Sequence, residues 1–239
     1  MSVTYMTRIK VMAFFVVCFV LWQALRHFPS FSDFSSQSLD HRWNSGAPSV
    51  SSLVSPVVVT VFYEALCPDS RSFFTKQLLP TFEKIPHLIQ INLVPYGKAK
   101  TELTGTGYAF SCQHGPLECQ ANKIHACAIS KLTQADVQLR YATCMISDNM
   151  SPEEIGEQCA QEYSVQWKAI VECAGGREGD ELLKHHGDLT NSLQPTISFV
   201  PTILLDQSDD NQPGILKNLF KEVCGVLQHK RMQLVPECH

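Results

Sequence analysis

The chain has 239 residues, 44% of them hydrophobic and 18% charged, with a formal net charge of −4 at pH 7. That length suits one domain of ordinary size with a segment to spare, and the mildly acidic balance gives nucleic-acid binding no footing. No Gly-x-Ser-x-Gly elbow, phosphate-cradling loop or paired metal-binding motif occurs, so hydrolase and nucleotide-binding classes have no positive support.

At the start, Arg8 and Lys10 precede an apolar run from Val11 to Leu25. Such a run directs the chain into the secretory pathway, and at about fifteen residues it is short of the ~20 that span a bilayer comfortably. Residues 1–28 therefore read as a signal peptide. Arg26, His27 and Phe28 follow without a small-x-small cleavage site, which makes a retained signal anchor in the membrane the alternative. Residues 29–55 are rich in serine and poor in apolar side chains, a composition that forms a flexible linker rather than a core. The folded domain is expected at 56–239.

The β-branched and aromatic run Val57 to Tyr63 predicts a buried strand. It ends in Glu64-Ala65-Leu66-Cys67-Pro68-Asp69-Ser70 and gives way to helical spacing at Ser72 to Leu79. Cys67 thus falls at a helix N-terminus, with Pro68 suited to the first helical position because it has no N–H to leave unpaired. Unpaired amides and the helix dipole favour a thiolate there. Asp69 opposes that effect and Arg71 supports it. A second strand is predicted over Leu88 to Gly97, and strand, helix and strand in this order make a parallel unit.

From about 105 to 190 the pattern is mostly helical. Helices are expected over Glu118 to Leu132, Gln134 to Ile146, from the capping box Ser151-Pro152-Glu153-Glu154, and over Trp167 to His185 with a break at Ala174-Gly175-Gly176. A last strand spans Phe199 to Leu205, with a cis Val200-Pro201 bond expected, and an amphipathic helix spans Ile215 to Leu227. The class is α/β with a helical insertion.

Of ten cysteines, Cys18 lies in the leader, which leaves nine in an oxidising compartment. If Cys67 is free, Cys112, Cys119, Cys127, Cys144, Cys159, Cys173, Cys224 and Cys238 can close four disulfides. Cys144 with Cys159 and Cys224 with Cys238 are the pairs expected from their neighbouring elements. An intermolecular bridge is the rival account of the odd cysteine. Three cysteines at 112, 119 and 127 with His114 and His125 raise a zinc site, but the spacing lacks close Cys-x2-Cys pairs and no metal is assigned. Asn149-Met150-Ser151 fits the N-glycosylation pattern.

The pattern Cys-Gln-His-Gly-x2-Glu-Cys-x2-Asn-x4-Cys, filled by Cys112, Gln113, His114, Gly115, Glu118, Cys119, Asn122 and Cys127, resembles the signature of the gamma-interferon-inducible lysosomal thiol reductase family. Glu64 to Cys67, Leu93 to Gly97, Glu172-Cys173-Ala174, Leu193-Gln194-Pro195 and Val200-Pro201 also look like family landmarks, so the resemblance covers roughly 57–239. It implies a thioredoxin-like fold with a disulfide-rich helical insertion, in a soluble endosomal, lysosomal or secreted glycoprotein that reduces protein disulfides at acidic pH without a cofactor. Carried over position by position, Cys67 is the nucleophile and Pro201 the cis-proline lying against it. The family's Cys-x-x-Cys pair is broken here by Ser70, a candidate site residue whose hydroxyl is placed to donate a hydrogen bond to the Cys67 thiolate. A lone first sulfur can attack a substrate disulfide but needs a small external thiol to leave it. The alternative is a catalytically impaired member acting as a binding or disulfide-trapping protein.

Overall fold

The computed structural model describes residues 55–231 and 236–238, together with Phe19, Trp22 and Gln23. In the leader, the rings of Phe19 and Trp22 lie 6.0 Å apart. Among the described residues no helix is long and apolar enough to cross a membrane. The cleavage, anchor and linker expectations fall almost wholly on residues outside those described.

Strand β1 (Val57–Tyr63) is the centre of a three-stranded sheet. Its alternate residues Val57, Val59, Val61 and Tyr63 are wholly buried, as a β-branched run between two layers requires. Strand β2 (Ile89–Pro95) pairs parallel to it, Val57 opposite Ile89 through Tyr63 opposite Pro95. Between them run α1 (Pro68–Phe73), a π turn at Phe74–Leu78 and α2 (Leu79–Lys84). Pro80 explains the wide turn. It has no N–H to continue the α ladder, and just before it Leu79 N–H reaches back five residues to the Phe74 carbonyl.

After β2 the chain forms a hairpin of β3 (Lys100–Thr104) and β4 (Gly107–Ser111). The segment from residue 105, expected to be helical, therefore opens on a strand. Helices follow as α3 (Pro116–Lys131), α4 (Ala135–Ser147), α5 (Pro152–Glu162), α6 (Trp167–Ala174) and α7 (Arg177–Asn191). Ser151 precedes α5 as the capping box anticipated, yet makes no side-chain capping bond. The last strand, β5 (Thr202–Leu205), is shorter than expected because Phe199 to Pro201 belong to a loop with a cis Val200–Pro201 bond. β5 runs antiparallel to β1, so the sheet order is β2-β1-β5. The helix expected over Ile215 to Leu227 is two helices, α8 (Gln212–Lys217) and α9 (Leu219–Arg231), broken where Asn218 leaves helical geometry.

Among the described residues two large apolar cores result, beside a small cluster of Tyr96, Ala99 and Leu183. Phe73, Phe74 and Leu78 pack against one sheet face with Leu139, Ala142 and Ile146 of α4, while the i, i+4, i+8 set Leu219, Val223 and Leu227 brings α9 into the same cluster. The second core, Ile124, Tyr141, Met145, Ala160 and Ile170, lies among α3, α4, α5 and α6. Disulfides Cys127–Cys173 and Cys144–Cys159 run through it. Cys112–Cys119 ties β4 to α3, and Cys224–Cys238 ties α9 to the short 3-10 turn at Pro236–Cys238.

Candidate functional site

Where β1 ends, the chain turns into α1, and Cys67 is the residue before the helix. Its backbone is extended (φ −70°, ψ 126°), and its carbonyl accepts the first helical bond from Arg71 N–H at 3.0 Å. Among the described residues Cys67 is the one free cysteine. It is 8% exposed, and its Sγ lies 3.9 Å from the Val200 carbonyl in the cis-proline loop. Pro201 in that loop is buried, and Thr202 Oγ1 braces the loop by donating to the Phe199 carbonyl. Asp69 and Arg71 are both exposed.

Ser70 is fully buried. Its Oγ accepts the Glu64 N–H at 3.4 Å, and no hydrogen bond joins it to Cys67 Sγ. The hydroxyl therefore belongs to the turn before the cysteine rather than to the sulfur.

That turn is gripped by one face of α3. Glu118, Asn122 and His125 sit at i, i+4 and i+7, a spacing that puts them in one stripe. Asn122 Oδ1 accepts the Ala65 N–H at 2.9 Å. His125 Nδ1 and the Tyr63 hydroxyl share a buried hydrogen bond of 2.8 Å. Glu118 acts through His114, whose Nδ1 lies 2.5 Å from Glu118 Oε2 and 3.5 Å from Glu64 Oε2. The stripe thus meets three consecutive residues, Tyr63, Glu64 and Ala65, just upstream of Cys67.

Burial sets the electrostatics. Desolvation lifts the Glu64 carboxyl above the usual carboxylate range; the Lys98 N–H, donated to Glu64 Oε1 at 2.8 Å, pulls it down, while the Glu118 charge raises it again. Burial drives His125 down to about 3, so it stays neutral at any pH the secretory pathway reaches, and raises the Tyr63 phenol well above its ordinary value. Gly97, at φ +61°, packs directly on Glu64: an added Cβ would stand 2.2 Å from Glu64 Cγ. Only glycine meets both demands.

Glu64, His114 and Glu118 offer ligand-type atoms within 4.8 Å of one another, the one such group among the described residues. The imidazole is already bonded to Glu118, so a cation would have to open that contact. The three cysteines that raised a zinc site in the sequence, where no metal was assigned, are all in disulfides. Cys112 and Cys119 pair with each other and Cys127 pairs with Cys173, leaving no thiolate to ligate. Asn149, the expected glycan acceptor, is drawn into the site. It is 9% exposed, and its Nδ2, the atom a glycan would occupy, donates to the Ala65 carbonyl at 2.9 Å. Gly115 (φ +85°) makes the turn before Pro116 opens α3. Gln113 is exposed, and nothing in the structure explains its place in the signature. Sequence reasoning missed Glu64 and Gly97 as site residues and gave Asn149 no part in the site. An Asn eighty-four positions from its partner carries no local sign of it.

A family model described as gamma interferon inducible lysosomal thiol reductase matches residues 58–163. A gamma-interferon-inducible lysosomal thiol reductase-like protein of Anopheles gambiae is 38% identical over 173 residues, 66% of this chain and 70% of that one. The gamma-interferon-inducible lysosomal thiol reductase of Mus musculus is 33% identical over 175 residues, 72% and 68% of the two chains. Among solved structures, Chlamydia trachomatis DsbA aligns over 84% of this chain and 100% of its own, with a TM-score of 0.53 and 14% identity. Reduced DsbG of Mycobacterium tuberculosis aligns over 76% and 81%, with a TM-score of 0.52 and 15% identity. These two likenesses establish a thioredoxin-like fold.

Proposed function

Since the chain belongs to the gamma-interferon-inducible lysosomal thiol reductase family, a family of thiol-disulfide oxidoreductases, we propose that it acts on protein disulfides through the Cys67 sulfur. The observation that carries this is the state of the nine cysteines past the leader. Eight are closed in four bridges, and the ninth stands free at the strand-to-helix junction beside the cis-proline loop.

In the first step the Cys67 thiolate attacks one sulfur of the substrate disulfide, forming a mixed disulfide while the other substrate sulfur leaves as a thiolate and takes a proton. The buried Ser70 hydroxyl cannot perform the second displacement, since oxygen offers no disulfide. A small external thiol attacks Cys67 Sγ and releases the substrate as a thiol. A second equivalent then regenerates Cys67, and the external pair leaves oxidised. A groove of about 260 Å³ beside the site, lined by Asp69, Phe73, Lys76, Phe199, Val200 and Leu216, would seat the substrate segment next to its cysteine. The leader and the four disulfides support action in the lumen of the secretory and endolysosomal pathway, as do the names of the relatives.

A second reading, a disulfide trap without turnover, is favoured by Ser70 alone. Single-turnover reaction with a fluorogenic disulfide substrate, with and without excess small thiol, separates the two. Turnover that requires both Cys67 and added thiol is expected, is lost in Cys67→Ala, and depends less on added thiol in Ser70→Cys. Wild type behaving like Cys67→Ala would refute the enzymatic reading.

A further inference from the structure

We propose that Asn122 and Asn149 are positioning residues for the Cys67 reaction, clamping the Ala65 backbone at its N–H and its C=O so that the turn carrying the sulfur is held in place. This rests on Cys67 being the reacting group. β1 ends at Tyr63, so the sheet uses neither the N–H nor the C=O of Ala65, which is 1% exposed and out of reach of bulk water. Both groups need partners from elsewhere. The N–H donates to Asn122 Oδ1 and the C=O accepts from Asn149 Nδ2, each at 2.9 Å.

The two amides arrive from separate elements. Asn122 is on α3, whereas Asn149 is in the connection between α4 and α5, which Cys144–Cys159 bridges from either side. What they hold is continuous with the sulfur. Cys67 N–H donates to the Glu64 carbonyl at 3.2 Å, and Glu64 N–H donates to Ser70 Oγ, so residues 64–70 form a closed turn hung on the Ala65 peptide. Two bonds to the backbone of Ala65, two residues before the cysteine, restrain the turn against rotation and sliding.

The two ends of the clamp differ chemically. Asn122 Nδ2 is buried with no partner, so only the oxygen of that side chain is in use. At position 122 an acceptor is needed, and at 149 a donor. At 122, where burial favours the neutral acid, a carboxyl of the same shape still offers an acceptor oxygen for the first bond, whereas an ionised carboxylate at 149 has no donor and faces the Ala65 carbonyl with a like partial charge. The same substitution is therefore expected to have opposite outcomes at the two positions.

The test uses the full-length protein from a secreting host, at pH 7, as wild type, Asn122→Asp, Asn122→Leu and Asn149→Asp. Two quantities are measured: kcat and KM for reduction of a disulfide peptide with excess small thiol, and hydrogen-exchange protection of the Ala65 to Cys67 amides. Asn122→Asp is expected to keep kcat within about twofold of wild type, with protection intact. Asn149→Asp and Asn122→Leu are expected to lose about tenfold in kcat at similar KM, with protection reduced. Asn149→Asp matching wild type, or Asn122→Asp as impaired as Asn122→Leu, would overturn the clamp. If Asn122→Leu does not fold, the two Asp variants decide between them. An inactive wild type would instead sink the functional reading, a result distinct from an active wild type whose two Asp variants behave alike.

Discussion

Replacing His125 with Gln is expected to remove much of the protein's loss of stability in acid. The imidazole is wholly buried against the Tyr63 hydroxyl and titrates at about 3 when folded, against an ordinary value of 6.5 once the chain unfolds. Because the folded value is the lower one, the stabilising contribution is complete above pH 6.5, shrinks as pH falls, and is exhausted near pH 3. Each pH unit in that window costs about 1.4 kcal/mol, so lowering the pH from 7 to 5 removes about 2 kcal/mol through this one group. The figure at pH 5 depends on the unfolded value and hardly at all on how far below 4 the folded value lies. His186, lowered to about 4 by burial and by the neighbouring His185, adds a second loss that the substitution leaves untouched. Urea unfolding with the disulfides intact, at pH 7 and 5, measures the difference. Wild type is expected to lose about 2 kcal/mol more than His125→Gln between the two conditions. Equal losses would mean that the Tyr63–His125 pair admits a proton when folded, and the burial argument would fail.

Other consequences are equally open to measurement. Gly97→Ala puts a Cβ into the Glu64 side chain at a backbone angle that alanine resists, and about 3 kcal/mol of stability is expected to disappear in denaturant titration. Breaking Cys127–Cys173, which closes 46 residues, is expected to cost about 4 kcal/mol against about 3 for Cys144–Cys159, which closes 15, as compared by thermal unfolding of the paired Cys→Ser variants. Peptide mapping of the secreted protein is expected to find Asn149 unmodified, since its amide nitrogen is committed to the Ala65 carbonyl; a glycan on the active protein would contradict that.

The sheet was legible because β1 and β5 are short apolar runs and β2 alternates buried Ile89 and Ile91 with exposed Gln90 and Asn92. Val57 to Tyr63 is buried between layers, so no solvent face dilutes the signal. The β3–β4 hairpin escaped because it has no buried face to impose alternation, as Leu103 shows by being 83% exposed. At the site, Cys67 announced itself by falling where an extended run becomes helical. Glu64 did not, because a carboxylate at the end of a strand reads as a surface residue until Gly97 and His114 are seen to close over it. The contact of Asn149 was hidden for the same reason: it is made across eighty-four positions, and a local pattern of three residues carries no sign of it.

The stripe on α3 gives Glu118 and Asn122 of the signature motif a mechanical meaning, together with His125 inside the motif's last gap. Glu118, Asn122 and His125 engage neighbouring residues of the strand end, like teeth of a gear meshed with a rack. Deleting or adding one residue between Glu118 and His125 would turn part of the helix by about 100° and shift it by about 1.5 Å, disengaging at least one tooth while leaving the composition almost unchanged. The motif is therefore a ruler as much as a list of amino acids, and its gaps are under the same constraint as its letters.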